Sequence, residues 1–336
     1  MQDEVEYDLV IVGAGVWLVI NWYIAPSLDP SGIVLARFYL SIYPTHRLAI
    51  LEQEDVIGGV WSSARQYPGF RSESGLRMTD FSDIPIVLPP DAKTYHDTFE
   101  AKYVTKYLEE YVHVHVYNEK SLRDRGIFGL KLGGIERIDG IWSVWSEVHE
   151  NGNGNEHKRM IKTQKLAIAT GQNYLPYIPS FPNQTNLQSP IVHQKHFGQI
   201  SASALAPDSP YTAITILGGG KSAADMPAKK VSWLIRQSGE GPTIFAGAKG
   251  RGQYCNSAEM SATRAFSALS PSCFAEQTWL SKFIHRSWII NSIVSRVWRG
   301  ADEEAAKLAD FEREDALPGF EALKFESEIF WCNGPI

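Results

Sequence analysis

The sequence predicts an α/β protein with two parallel-sheet units in tandem, and three observations indicate this fold class. The chain has 336 residues, a length that suits about two domains. A short β-branched run, Asp8–Val12, ends in the turn Gly13-Ala-Gly15, and a second run, Ala213–Leu217, ends in Gly218-Gly-Gly220. A buried strand that enters a glycine turn is typical of the first strand of a β-α-β unit, so each run predicts one nucleotide-binding unit.

Composition excludes several classes of protein. The net charge is −6, from 32 basic and 38 acidic residues, which argues against a protein that coats nucleic acid. Cys255, Cys273 and Cys332 form no CxxC pair, so we predict no metal site or disulfide framework and a reducing compartment, the cytoplasm. Leu9–Ala25 is apolar but short and contains two glycines, so it predicts a buried strand and helix and no membrane span.

Prolines divide the chain into domains. Six prolines lie between Asn173 and Pro210, a composition typical of a linker. We therefore predict a first nucleotide-binding domain at 1–175, a linker at 176–210, and a second nucleotide-binding domain with a helical segment at 211–336.

Other segments also have patterns that predict local structure. His113 and His115 alternate, which predicts a strand with both rings on one face; without a third ligand we interpret them as structural. Trp279–Trp298 has apolar residues at helical spacing and predicts an amphipathic helix that faces the core, in preference to one that binds a membrane or calmodulin. Three further runs predict strands: Arg47–Leu51, Ile141–Trp145 and Lys165–Thr170.

The first glycine motif is interrupted. A dinucleotide site needs G-x-G-x-x-G, and after Gly13 and Gly15 the third glycine is replaced by Leu18. Removing the 14 residues 18–31 brings Gly32 into the third position. The same removal shortens the separation of Gly15 from Glu52 from 37 to 23 positions, close to the roughly 20 expected for the acid that binds a ribose. We interpret 18–31 as an insertion, either natural or an unspliced intron.

The motifs that follow resemble those of the flavin-containing monooxygenase superfamily, and their sequences are most similar to those of fungal-type members. Glu52 is followed by Gly58-Gly59-Val-Trp61, which is similar to the GG-x-W turn of that family. Asn183 departs from the pattern, because a glycine is usual there. Further segments that resemble the family are Tyr67–Gly69, Met78–Pro85, Leu166–Gly171, His193 with Phe197, and Gly218–Ala223.

The resemblance implies FAD in the first domain and NADPH in the second. In the first domain it assigns the FAD pyrophosphate to Gly13, Gly15 and Gly32, the ribose to Glu52, and the flavin side to Gly59 and Trp61. In the second it assigns the NADPH pyrophosphate to Gly218, Gly220 and Ser222, and the 2′-phosphate to Arg236. Glu73 is the candidate catalytic residue and favours the Baeyer–Villiger pattern; a surface carboxylate is the alternative interpretation.

The activity implied by the resemblance is that of a flavoprotein monooxygenase of the kind found in secondary metabolism. Such an enzyme uses NADPH and inserts one oxygen of O2 into a small organic metabolite through a C4a-(hydro)peroxyflavin. The alternative is a non-catalytic copy, truncated or mis-spliced, because 218–230 is a short crossover and no second ATG motif follows Gly171 to close the FAD domain. A pyridine-nucleotide disulfide oxidoreductase is a third interpretation, which the missing CxxC disfavours. Substrate and oligomeric state are not predicted.

Overall fold

The computed structural model describes residues 5–14, 32–72, 74–148, 157–171, 175–218, 221–226, 230–234 and 279–309, with 250, 252–255, 259 and 263. The strands are β1 (Val5–Val12), β2 (Leu48–Leu51), β3 (Val116–Tyr117), β4 (Lys120–Ser121), β5 (Gly126–Ile127), β6 (Leu132–Ile138), β7 (Ile141–Val148), β8 (His157–Ile168), β9 (Ile214–Leu217) and β10 (Val231–Leu234). The helices are α1 (Gly32–Ile42), α2 (Leu76–Thr79), α3 (Ala101–Val114), α4 (Gln194–Ala204), α5 (Lys221–Ala224), α6 (Trp279–Arg286) and α7 (Trp288–Ala309).

The described residues fall into two compact units. The first takes in those within Met1–Leu18, Leu28–Tyr67 and Ala101–Ala202. The second takes in those within Pro68–Glu100 and Ser203–Ile336. The domain boundaries predicted from the prolines stay a prediction. Among the described helices, none is both long enough and apolar enough to cross a membrane.

The first unit is built on a six-stranded sheet in the order β5-β2-β1-β8-β7-β6. The first four strands in this order are parallel, with Val10 of β1 opposite Ala49 on one side and Leu166 on the other. β7 and β6 extend the sheet as antiparallel strands. The parallel sheet confirms the predicted α/β class and brings the carboxyl ends of β1, β2 and β8 to one edge.

The centre of this unit is buried as the sequence pattern predicts. β1 has Val10 and Ile11 fully buried, which is expected of a central strand covered on both faces. α1 buries Ile33, Ala36 and Leu40 completely, and their spacing of three and four residues places them on one helical face. Each such isoleucine or leucine contributes about 1.5–3 kcal/mol of stability, so this face holds α1 on the sheet.

The strand predicted at His113 and His115 is wrong. His113 belongs to α3, which ends at Val114, and His115 follows the helix, so the two do not alternate on a strand. α3 forms because its buried residues, among them Val104, Leu108 and Tyr111, recur at helical spacing. The His115 ring lies 4.3 Å from the Tyr111 ring, centroid to centroid.

The second unit contains a small parallel sheet. β9 and β10 pair in parallel, with Ile214 opposite Val231 and Leu217 opposite Leu234. In the same unit, the amide of Leu76 at the start of α2 donates to Asp97 Oδ2 at 3.0 Å. β9 agrees with the run Ala213–Leu217 that was predicted from the second glycine motif.

The helical segment of the second unit differs from the single core-facing helix that was predicted. It consists of α6 and α7, which are separated at Ser287; the Ser287 hydroxyl accepts a hydrogen bond from the Ile290 amide at 3.5 Å and caps α7. Val294 is buried, but Trp279 and Trp288 are each 79% exposed. The predicted orientation is therefore wrong for these tryptophans.

Candidate functional site

A glycine turn closes the carboxyl end of β1 in the first unit. Gly13 has φ +106°, a backbone conformation that side chains rarely allow, and its amide donates to the Leu51 carbonyl at 2.7 Å. A Cβ atom on Gly13 would lie 2.3 Å from the Ala169 carbonyl oxygen at the end of β8. Only glycine fits between these strand ends.

The first residue of α1 packs directly on this turn. A Cβ atom on Gly32 would lie 1.9 Å from the Gly13 carbonyl oxygen and 3.0 Å from Ile11 Cγ2. This close packing of helix on strand is the structural role of the third glycine in G-x-G-x-x-G. Gly32 thus occupies that position in space, although Gly15 and residues 18–31 lie outside the described residues. The first turn of α1 has no acidic residue that would compete with an anion at the helix N-terminus.

Glu52 follows β2 and is fixed against the glycine turn. Its Oε2 accepts a hydrogen bond from the Ala14 amide at 2.7 Å, and its Oε1 accepts one from the Glu54 amide at 3.0 Å. The side chain is half-buried. The structure therefore brings Gly13, Gly32 and Glu52 together at one end of the sheet, as their spacing predicts.

The predicted flavin-side residues lie in a second turn beside the first. Gly58 and Gly59 have φ values of +103° and +56°, and the Gly58 amide donates to the Ala14 carbonyl at 3.0 Å. Trp61 is buried, and its carbonyl accepts hydrogen bonds from Thr105 Oγ1 at 2.5 Å and from Gln66 Nε2 at 3.3 Å. α3 thus anchors this turn.

Sequence reasoning missed an ion pair that ties these turns together. Arg65 Nη2 bonds Glu54 Oε1, and both side chains are largely buried. Glu54 also accepts a bond from Ser62 Oγ at 3.4 Å, and its amide is the one that holds Glu52. A connected set of bonds therefore runs from Arg65 through Glu54 and Glu52 to Ala14. Only the position of Glu54, two residues after Glu52, offered a local signal for it.

α4 rests on the chain that follows Trp61. The Phe197 ring meets the Tyr67 ring edge to face with 5.2 Å between centroids, and both side chains are buried. A Cβ atom on Gly198 would lie 2.8 Å from the Arg65 carbonyl carbon, so helix backbone contacts turn backbone. Burial lowers the pKa of His193 below its ordinary value, and the nearby charges of His196 and Lys195 lower it further.

We expect that replacing Arg65 by alanine destabilises the first unit by about 1–3 kcal/mol, because the largely buried Glu54 carboxylate then loses its cation. The measurement is the midpoint of urea unfolding followed by tryptophan fluorescence. Lys106→Ala is the matched control, since it breaks the exposed pair of Lys106 with Glu110, which contributes at most about 0.5 kcal/mol. Equal losses in the two variants would contradict a structural role for the Arg65 pair.

The second glycine motif is only partly described. Gly218 follows β9 with φ +120°, and its amide donates to the Leu234 carbonyl at 3.0 Å. Ser222 lies in α5 and is half-buried. The other predicted site residues, Gly220, Arg236 and Glu73, lie outside the described residues, as does Gly15.

No protein-family model matches the chain. The similar sequences reported below share one description, FAD-dependent monooxygenase. An FAD-dependent monooxygenase of Pyrenophora dematioidea is 28% identical over 298 residues, which cover 83% of this chain and 49% of the relative. The FAD-dependent monooxygenase DEP4 of Alternaria brassicicola is 25% identical over 340 residues, which cover 98% of this chain and 52% of the relative. The chain thus spans about half the length of these relatives.

Solved structures show the same fold. The polycyclic ketone monooxygenase of Thermothelomyces thermophila superposes with a TM-score of 0.50 at 15% identity, over 69% of this chain and 35% of that one. The open form of a cyclohexanone monooxygenase gives a TM-score of 0.51 at 15% identity, over 90% of this chain and 58% of that one. The fold is therefore that of the flavin-dependent monooxygenases. By sequence, the chain is similar to proteins named FAD-dependent monooxygenases.

Proposed function

We propose that this protein is an FAD-dependent monooxygenase that uses NADPH and transfers one oxygen atom of O2 to a small organic molecule. The observation that carries the proposal is the convergence of Gly13, Gly32 and Glu52 at one end of the parallel sheet. These are the residues that the family resemblance assigns to FAD. The names of the sequence relatives support the same cofactor.

The described residues fit the adenosine end of FAD. Gly13 and Gly32 keep side chains away from the space between the β1 turn and the start of α1, where a pyrophosphate would approach backbone amides. Glu52 is an acceptor held in place by two amides, which suits hydrogen bonds from ribose hydroxyls. Gly59 and Trp61 would line the isoalloxazine ring, and α3 would keep that turn in place through Thr105.

The reaction chemistry would come from the cofactor. FAD held by these residues would supply the redox chemistry that passes electrons from NADPH to O2. The protein's part would be to position the two nucleotides and to exclude water from the reacting atoms. Gly218, Gly220 and Ser222 would hold the NADPH pyrophosphate, with Arg236 on its 2′-phosphate. The cytoplasm, predicted from the cysteine composition, would supply NADPH.

Flavin binding tests this proposal directly. The full chain is purified, mixed with FAD, freed of excess ligand and examined by visible spectroscopy. We expect near-stoichiometric flavin absorbance that bleaches when NADPH is added without oxygen and returns when air is admitted. A colourless, folded protein would overturn the FAD site. Bound flavin that NADPH fails to bleach would overturn the NADPH assignment alone. Assay of oxygen consumption with candidate ketones and thioethers would then separate the reaction types.

A further inference from the structure

α6 carries an apolar face bordered by basic side chains. At about 100° per residue, Trp279, Phe283 and Leu280 span an arc of about 100°. Lys282 and Arg286 lie next to this arc, about 60° and 20° beyond Trp279. An apolar arc edged by cations is the pattern of a helix that lies at a boundary between an apolar and a polar medium.

Within the part of the chain that the structure describes, no residue covers the apolar side of α6. Trp279 is 79% exposed and Phe283 is 59% exposed, and at the start of α7 the side chains of Trp288 and Ile289 are also exposed. Large apolar side chains in an adjacent group of this kind mark an interaction surface. We call Trp279, Leu280, Phe283, Trp288 and Ile289 the α6–α7 apolar patch.

The charge around this patch indicates what it contacts. Between Trp279 and Ala301 the sequence contains no aspartate or glutamate, whereas the whole chain carries a net charge of −6. The segment has four basic residues, Lys282, Arg286, Arg296 and Arg299. All four have exposed side chains. A cationic segment in an acidic protein is electrostatically matched to an anionic surface.

We propose that α6 and the first turns of α7 bind the surface of an anionic lipid bilayer. Exposed tryptophan and phenylalanine beside lysine and arginine are the composition of interfacial helices, in which aromatic rings enter the headgroup region and cations contact lipid phosphates. α6 lies in the plane of the interface and does not cross it. This surface shares no residue with the proposed cofactor site, and the proposal does not rest on FAD binding.

Vesicle flotation tests the proposal. The full chain, with and without FAD, is mixed with vesicles of phosphatidylcholine alone or of phosphatidylcholine with phosphatidylserine, and then centrifuged through a density gradient. Because aggregated protein sinks, only lipid-bound chain floats. We expect flotation with the anionic vesicles, and we expect it to weaken as salt is raised. Failure to float with anionic vesicles would overturn the proposal.

Two pairs of variants assign the binding to α6. Trp279→Ser with Phe283→Ser should abolish flotation, whereas Val87→Ser with Tyr95→Ser removes equally exposed apolar side chains elsewhere and should leave it unchanged.

For the charges, Lys282→Gln with Arg286→Gln should lower the partition coefficient about thirtyfold, and Lys93→Gln with Lys131→Gln should lower it far less. Equal flotation of the α6 variants and their controls would overturn the proposal. A dimer that dissociates only in the α6 serine variant would instead show that a second copy covers the patch.

Discussion

Gly32→Ala is expected to be among the most damaging single changes in the first unit. The added methyl carbon would lie 1.9 Å from the Gly13 carbonyl oxygen, a distance at which backbone must move. The Gly13 backbone cannot move away easily, because it is itself packed against the Ala169 carbonyl at the end of β8. We expect a loss of about 3 kcal/mol, which lowers the melting temperature by roughly 6–12 °C. The same displacement of α1 should abolish FAD binding.

A matched glycine distinguishes this clash from a general effect of alanine. Gly300 lies in α7, and a Cβ atom there would meet nothing within 4 Å. Gly300→Ala should therefore stabilise the chain slightly, by about 0.5–1 kcal/mol, since alanine favours helix. Thermal unfolding and flavin fluorescence measure both variants. If the Gly32→Ala protein had the melting temperature of the wild type and still bound FAD, Gly32 would not be the third glycine of the G-x-G-x-x-G motif.

β1, β2 and β9 were predictable because their signals are local. β1 and β9 are short runs rich in β-branched residues, β2 is a short apolar run, and such runs are recognised without knowledge of distant residues. The contact of Gly32 with the β1 turn was also predictable, although residues 18–31 interrupt the motif. Removing those 14 residues restores both the G-x-G-x-x-G spacing and the expected separation of Gly15 from Glu52. The structure places Gly32 on the Gly13 carbonyl.

Longer-range features could not be predicted in this way. Thr105 bonds the Trp61 carbonyl across 44 positions, and no periodicity in either segment indicates this contact. The alternation of His113 and His115 was misleading, because the apolar spacing of the preceding residues continues the helix to Val114. For Trp279–Trp298 the helical period was correct, but period alone does not specify which surface covers an apolar face.

The second large effect is expected at Glu52. Glu52→Ala removes the acceptors of two backbone amides, those of Ala14 and Glu54, at a half-buried position. Leaving two such donors without partners costs about 2–3 kcal/mol. The glycine turn would also lose its link to the Glu54–Arg65 pair. We therefore expect both a lower melting temperature and a weaker affinity for FAD.

Glu52→Gln distinguishes the effect of the side chain's length from the effect of its carboxylate charge. Glutamine keeps the length of the side chain but offers one acceptor oxygen, so one of the two amides would face an NH2 group. We expect roughly half of the stability loss of Glu52→Ala, whereas Glu109→Ala, on the exposed side of α3, should change neither stability nor FAD affinity. Urea unfolding gives the stability, and FAD fluorescence quenching gives the affinity. If Glu52→Gln lost stability but bound FAD as tightly as the wild type, Glu52 would hold the glycine turn without contacting the ribose.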